Sequence, residues 1–290
     1  MSLIQLLLIG LVQGITEWLP ISSSGHVLLV ADWFSMEGRD EELINAASNL
    51  GTLAALLIYF WKDVVRALGG GVELIGAPFR SAELSPGAQL AKHIIIATPF
   101  ALIGAALYQT MISDEARDAV RSSYTIAATT IIFGLALWWA DERGGTDRKE
   151  ADLTIMHSFW IGASQLVAVL LPGTSRSGIT MTMARAFGYA RTEAARFSML
   201  IGAPLLAAVS AYGLYGLYST PADAAALGDA GVTLSDGLVV AAMAFASGIA
   251  SIWMLMSLLK RMSFLPFVIY RLVLGIVLLA ASPLWLGWIS

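Results

Sequence analysis

From residue 13 the chain reads Gln13-Gly14-Ile15-Thr16-Glu17-Trp18-Leu19-Pro20-Ile21-Ser22-Ser23-Ser24-Gly25-His26. This run interrupts a stretch, residues 3–31, that is otherwise apolar. Pro20 cannot continue a helix, and the serines with Gly25 favour caps and turns, so one unbroken helix over 3–31 is excluded. Two constructions remain. One is an ordinary helix followed by a loop. The other is a re-entrant hairpin, two half-length helices that enter a bilayer and return to the same side. The second requires protein or a water-filled cavity around the break, because freed backbone groups have no partners in lipid. Residues 158–187 are built alike, interrupted by Gln165 and by Pro172-Gly173-Thr174-Ser175-Arg176-Ser177-Gly178.

The composition around these two regions points to a membrane. Of 290 residues, 57% are hydrophobic and 13% charged, and the mean hydropathy is +0.74. That balance excludes a disordered chain and makes an ordinary soluble enzyme a poor fit. A net charge of −4 leaves no basic surface for nucleic acid. The absence of cysteine rules out disulfides, thiol catalysis and cysteine-bound metal. Residues 1–12 are apolar, but no Lys or Arg precedes them and no small-residue cleavage site closes them. They are expected to remain in the mature protein rather than act as a secretory signal. Six further stretches reach the length a full crossing needs: 43–61, 93–112, 123–140, 195–217, 237–259 and 266–288.

The two interrupted regions match each other when the first is shifted by 152 positions. Ile9-Gly10 falls on Ile161-Gly162, Gln13 on Gln165, Leu19-Pro20 on Leu171-Pro172, Ser22 on Thr174 and Ser23 on Ser175. Each copy is then a hairpin plus three crossings. Three is odd, so the second copy enters the membrane upside down, the inverted-repeat plan in which broken helices meet near the midplane. Repeat one spans 1–140 with its hairpin at 3–31, and repeat two spans 154–290 with its hairpin at 158–187. Charge placement agrees. With the first hairpin opening outside, the inner segments 62–92, 141–157, 188–196 and 260–265 hold eleven Lys and Arg residues. The outer segments 32–42, 113–122 and 218–236 hold three: Arg39, Arg117 and Arg121. The expected fold is therefore an all-α polytopic integral membrane protein of six full transmembrane helices and two re-entrant hairpins, in a single membrane domain. Both termini are predicted outside.

The breaks also carry the reactive groups. Glu17 lies four residues after Gln13, so both project from one helix face. A carboxylate at that depth is either an interfacial residue facing water or part of a cation or proton site. Gln13 and Glu17 offer the oxygens that Mg2+ or Ca2+ prefer, although two ligands hold Mg2+ poorly without phosphates to complete the shell. Ser22, Ser23 and Ser24 stand next to a helix start whose backbone N–H groups favour anions, and His26 can move a proton near neutral pH. In the second break Gly173 permits close backbone approach, Thr174, Ser175, Ser177 and Thr180 bring hydroxyls, and Arg176 presents a planar fork suited to phosphate. Its partner is either Glu17, as a structural ion pair, or a phosphate. Asn49 is read as lining the cavity. His93 and His157 are read as helix-start residues at the interface, Arg271 and Arg185 as snorkelling cations, and Trp138 and Trp139 as interfacial belt residues. The set implies phosphoryl chemistry on a lipid phosphate.

At these residues the chain resembles the undecaprenyl-diphosphate phosphatase family of bacteria, the bacitracin-resistance type. The family's (Glu/Gln)-x-x-x-Glu motif is matched by Gln13-Gly14-Ile15-Thr16-Glu17, continued by the Glu17–His26 run. Its Pro-Gly-x-Ser-Arg-Ser-x-x-Thr motif is matched from Pro172 to Thr180, and Phe264-Leu265-Pro266-Phe267-Val268-Ile269-Tyr270-Arg271 is also family-like. The resemblance covers nearly the whole chain. It implies hydrolysis of undecaprenyl diphosphate, recycling of the lipid carrier of cell-wall synthesis, dependence on a divalent cation (Mg2+ or Ca2+), an outward-facing site in the bacterial inner membrane, and often a homodimer. By position it implies catalytic roles for Glu17, Ser23, His26 and Arg176, a metal role for Gln13 and Glu17, and substrate contacts at Ser22, Ser24, Gly173, Thr174, Ser175, Ser177 and Thr180. Gln13 stands where many members have Glu, which removes one charge for the metal. The phosphatidic-acid-phosphatase type needs a histidine after its Ser-Arg fragment, and none follows Arg176 here. The alternative activity is lipid-phosphate transport, for which inverted repeats are also a plan.

Overall fold

The computed structural model of the chain describes residues 1–23, 26, 38–76, 84–219 and 233–289. Ser24, Arg80 and the returning arm expected over 27–31 lie outside them. Among the described residues the structure is all-helical, with one isolated bridge between Arg148 and Tyr189.

Helix α1 (Leu3–Trp18) opens on a capping box in which Ser2 and Gln5 satisfy each other's backbone N–H groups, and it ends just before Pro20. Helix α2 (Gly38–Tyr59) is followed by α3 (Trp61–Gly76), which turns away by 88°. Next come α4 (Pro86–Met111), α5 (Asp114–Val120) and α6 (Ser123–Arg143). The second interrupted region holds α7 (Ile155–Ala163), α8 (Gln165–Leu170) and α9 (Arg176–Ala186). Helices α10 (Arg191–Ser219), α11 (Leu234–Leu259) and α12 (Leu265–Ile289) complete the chain.

Among the described residues, four helical segments are long and apolar enough to cross a membrane: Pro86–Tyr108, Ser123–Arg143, Arg191–Tyr215 and Leu234–Leu259. They fall on the expected crossings 93–112, 123–140, 195–217 and 237–259. The apolar part of α2, Leu43–Tyr59, covers the stretch read as 43–61 and forms a bent pair with α3. Leu3–Trp18, Ile155–Leu170 and Leu265–Ala280 are shorter apolar helices. The last lies on the stretch read as 266–288.

Packing follows small residues and hydroxyls. Gly10 and Gly14 put α1 directly on α11: a Cβ on Gly14 would lie 1.9 Å from Ser247 Oγ. Ser247 and Ser251 of α11 donate to the carbonyls of Gly10 and Ile15 at 3.3 and 3.2 Å. Corresponding pairings recur across the 152-residue shift. Helix α1 packs on α11, while α7 and α8 pack on α4; α2 packs on α10 and α6 on α12. The core runs through the first break, where Trp18, Leu19 and Ile21 join Leu56, Met181, Met199 and Ile252 in one buried cluster.

Two expectations change here. His93 lies two turns inside α4 rather than at its start, because Ser85 caps the helix and Pro86 opens its first turn. It is 4% exposed and its Nδ1 meets Ser158 Oγ at 2.8 Å. Arg185 does not snorkel. It is fully buried against Asp141 at 2.7 Å and also donates to the carbonyls of Asp141, Gly144, Gly145 and Tyr189. Asp141 takes a second cation, Arg191, at 2.9 Å. Asp63, Arg66, Glu150 and Arg196 form another ion cluster where α4 begins. Trp138 and Trp139 are exposed on α6.

Candidate active site

The two breaks meet. Arg176, the first residue of α9, donates from Nη2 to Glu17 Oε1 at 2.8 Å. The other carboxylate oxygen accepts from Ser23 Oγ at 2.7 Å and from Gln13 Nε2 at 3.2 Å. Gln13 Nε2 also donates to Asn49 Oδ1 on α2 at 2.6 Å. The guanidinium lies over the fully buried Trp18 ring, 5.5 Å from its centroid. Its Nη1 is buried and has no protein partner. Gly202 of α10 makes the room: a Cβ there would lie 1.7 Å from Nη1.

These groups open into a cavity of about 320 Å3. Gln13, Glu17, Ser23, Asn45, Asn49 and Arg176 give it a polar floor. Ala168, Val169, Leu205, Leu206 and Val209 give it an apolar wall. Arg121, in the link between α5 and α6, and Gln165, at the start of α8, also line it. The cavity joins a cation, a carboxylate-bound hydroxyl and an apolar side, which suits a phosphorylated lipid.

The second break is shaped by its backbone. Ser22 and Ser175 are the non-glycine residues with positive φ among those described, at +73° and +69°. Each break thus holds one serine in a conformation that costs of order 1–3 kcal/mol unless its surroundings enforce it. Gly173 has φ +85°, and a Cβ there would meet Thr129 Oγ1 at 2.2 Å, so glycine is required twice over. Ser175 caps α9 by accepting from Gly178 N at 3.1 Å. Ser177 reaches the carbonyls of Leu19 and Glu17 at 3.0 and 3.3 Å, tying the second break to the first. Thr180 bonds to Ser198 Oγ at 2.6 Å.

The family model of bacitracin resistance protein BacA matches residues 6–277, which includes both breaks and the first half of α12. The chain belongs to the BacA family. Among its relatives is the undecaprenyl-diphosphatase of Hyphomonas neptunium, 63% identical over 287 residues and covering 99% of each chain. The undecaprenyl-diphosphatases of Ruegeria pomeroyi and a Jannaschia species are 44% and 43% identical, each over 283 residues, 97% of this chain and 99% of theirs. All three are named as diphosphatases and none as a transporter.

In this BacA-family chain the expected residues that the structure describes take three kinds of place. Gln13, Glu17, Ser23, Ser175 and Arg176 line the cavity, as does Asn49. Ser22, Gly173, Thr174, Ser177 and Thr180 lie behind it as buried braces. His26 turns from the cavity. Its Nδ1 faces the Ser22 carbonyl at 2.6 Å and its Nε2 the Tyr270 hydroxyl at 2.6 Å. A carbonyl only accepts, so Nδ1 carries a proton, and in the neutral ring Nε2 accepts from the phenol. The two rings stack at 5.7 Å and 14°.

The next residue is the largest correction. Arg271 does not snorkel; it is fully buried in the joint between the breaks. Nη1 donates to the carbonyls of Pro20 and Thr174, at 3.2 and 3.0 Å. Nη2 donates to those of Gly173 and Thr129, at 3.0 and 3.4 Å, and Nε to that of Thr130, at 3.0 Å. Three of these carbonyls belong to the two breaks and two to α6, and one guanidinium gathers them because its five donors can satisfy several at once. A charged residue five positions into an apolar helix is the signal that could have marked it as functional. Arg121 and Gly202 had no comparable local signal, since exposure and a neighbour's shape decide their roles.

Proposed function

We propose that this chain hydrolyses undecaprenyl diphosphate to undecaprenyl phosphate and inorganic phosphate, recycling the cell-wall lipid carrier and conferring bacitracin resistance. The observation that carries this reading is the Glu17–Arg176 pair closing the joint of the two breaks inside a half-apolar cavity. The diphosphatase activity for which the relatives are named supports it. The isoprenyl chain lies along Leu205, Leu206 and Val209, and the diphosphate faces Arg176 and Ser175. Arg176 then exchanges Glu17 for phosphate oxygens, and its free Nη1 gives it a second donor for them.

Ser23 Oγ, held at 2.7 Å by a buried carboxylate, is the nucleophile. It attacks the terminal phosphorus in line as the bridging P–O bond breaks, and its proton passes to Glu17. Glu17 passes that proton to the departing undecaprenyl phosphate and, ionised again, takes one from the water that cleaves the phosphoserine and returns it to Ser23 Oγ as phosphate leaves. His26 and Tyr270 are positioning residues that hold the Ser22 carbonyl and with it the serine run.

The donor set suits a hard divalent cation, Mg2+ or Ca2+. It consists of oxygens, including a buried carbonyl oxygen of Gln165 with no partner. Among the described residues no cluster of three His, Cys, Asp or Glu exists, so one carboxylate serves and phosphates complete the shell. Glu17 and Gln13 would hold the ion, which neutralises diphosphate charge when bound. The site opens to the outer face of the bacterial inner membrane, with both termini on that side. Arg121, one of the few basic residues of the outer segments, at its wall is the support. The two halves form inverted repeats, supported by the matched helix pairings, and the family resemblance supports assembly as a homodimer.

The test is metal-dependent phosphate release from a C55 diphosphate by purified protein in detergent, with a chelator control. Hydrolysis that disappears in Ser23→Ala, Glu17→Ala and Arg176→Ala is expected. Near wild-type rates in all three variants, or no hydrolysis by the wild type, overturn the reading.

A further inference from the structure

Gln165 stands where the 152-residue shift sets the counterpart of Gln13. It is fully buried. Its Nε2 donates to the Ala97 carbonyl of α4 at 3.0 Å. That bond fixes the amide's orientation, since the flipped form would set two carbonyl oxygens against each other. Oε1 is therefore committed to the opposite side. There it lacks any protein partner, on a residue that lines the same cavity as Glu17 and Gln13. A buried acceptor left unpaired costs about 1–3 kcal/mol. Gln13 is arranged in the same way: Nε2 is held by Glu17 and Asn49, which leaves its Oε1 for another group.

A diphosphate ester has few protons to donate near neutral pH, and its oxygens repel a carbonyl oxygen. What attracts such an oxygen in an anion-binding cavity is a cation. We propose that Gln165 Oε1 is a further ligand of the divalent cation held by Glu17 and Gln13. The ion would then take one carboxylate and one carboxamide from the first repeat and one carboxamide from the second. Three protein oxygens leave positions of an octahedral shell for phosphate oxygens and water. This rests on the reading of the cavity as the diphosphate site.

Mn2+ is the probe, followed by its paramagnetic resonance signal. It is titrated into the purified full-length protein with a methylene-bridged, non-hydrolysable isoprenyl diphosphate analogue present. Gln165→Met keeps the volume and removes the carbonyl. It is expected to weaken Mn2+ binding about tenfold or more, the scale of losing a group that supports a metal. Gln165→Glu supplies a carboxylate oxygen and is expected to bind Mn2+ at least as tightly as the wild type.

Thermal unfolding confirms that each variant is folded, and Gln165→Glu carries the test alone if Gln165→Met is not. Unchanged Mn2+ affinity in a folded Gln165→Met, or tenfold weaker binding in a folded Gln165→Glu, overturns the proposal. So does a raised lipid KM with unchanged Mn2+ affinity, which would make Gln165 a substrate contact. Failure of the wild type to hydrolyse the C55 diphosphate is a separate result and counts against the functional reading itself.

Discussion

The first break, from Leu19 to His26, and the second, from Leu171 to Ser175, meet on similar sequences, yet they do different work. The first presents Ser23 to the cavity beside Glu17 of α1, while Ser22 stays buried and His26 reaches across to Tyr270. The second turns most of its polar groups inward. Ser177, Thr180 and the carbonyls of Gly173 and Thr174 are engaged in holding the joint, and Arg176 is the cation it delivers to the cavity. Each contains one serine with positive φ. Under the proposed mechanism, a backbone device that occurs twice is divided between a reactive break and a bracing break, with one ion pair coupling them.

The sharpest way to break this division is at that pair. Glu17→Ala and Arg176→Ala are each expected to lower the rate of phosphate release by about 10³-fold, combining a lost proton acceptor or phosphate clamp with a misplaced partner. Each single change also leaves a buried charge unpaired, at about 3–5 kcal/mol. The double variant Glu17→Gln, Arg176→Gln is therefore expected to unfold at a higher temperature than either single change to Gln. Single variants that keep within tenfold of wild-type rates would remove the pair from the chemistry.

Arg271 tests the brace. Arg271→Leu leaves five carbonyl contacts unmade and is expected to cost about 3–5 kcal/mol, read as a large fall in unfolding temperature. Arg271→Lys is expected to recover only part of that loss, because an ammonium cannot span carbonyls on three elements. Full recovery would show that charge, not the fork, matters there.

Smaller again is Gly173→Ala, expected to destabilise by about 2–3 kcal/mol through strain at positive φ and the clash with Thr129. Because this acts on the bracing copy, the remaining folded protein should retain its KM. A changed KM would merge the two roles.

The smallest effect is expected at Arg121. Arg121→Gln removes an exposed cation at the cavity wall and should raise KM about threefold at low salt with kcat unchanged, the difference fading as salt screens the charge. Initial rates across a salt series decide it. An equal loss in kcat would place Arg121 among the catalytic groups.

Much of this was legible along the chain. The apolar stretches, the proline-marked breaks, Glu17 and Arg176 as charges in the wrong solvent, and Asn49 as a cavity residue all follow from local composition and period. Helix starts were less legible: α4 begins earlier than its apolar stretch because Ser85 and Pro86 provide a cap that hydropathy does not register. Arg271 was misread because five residues from a helix end is within a snorkelling side chain's reach. Only the carbonyls of Pro20 and Thr174 reveal its direction.

The sequence by itself determined an all-helical membrane chain, two interrupted helices with matching punctuation, and the chemical types gathered at them. Those properties depend on solvent preference and backbone chemistry within a few residues. Tertiary structure decided that Glu17 meets Arg176 across 159 positions, that His26 meets Tyr270 across 244, and that Arg271 seals Pro20 across 251. Such encounters depend on how helices pack, and no local pattern encodes which distant carbonyl or carboxylate a long side chain will find.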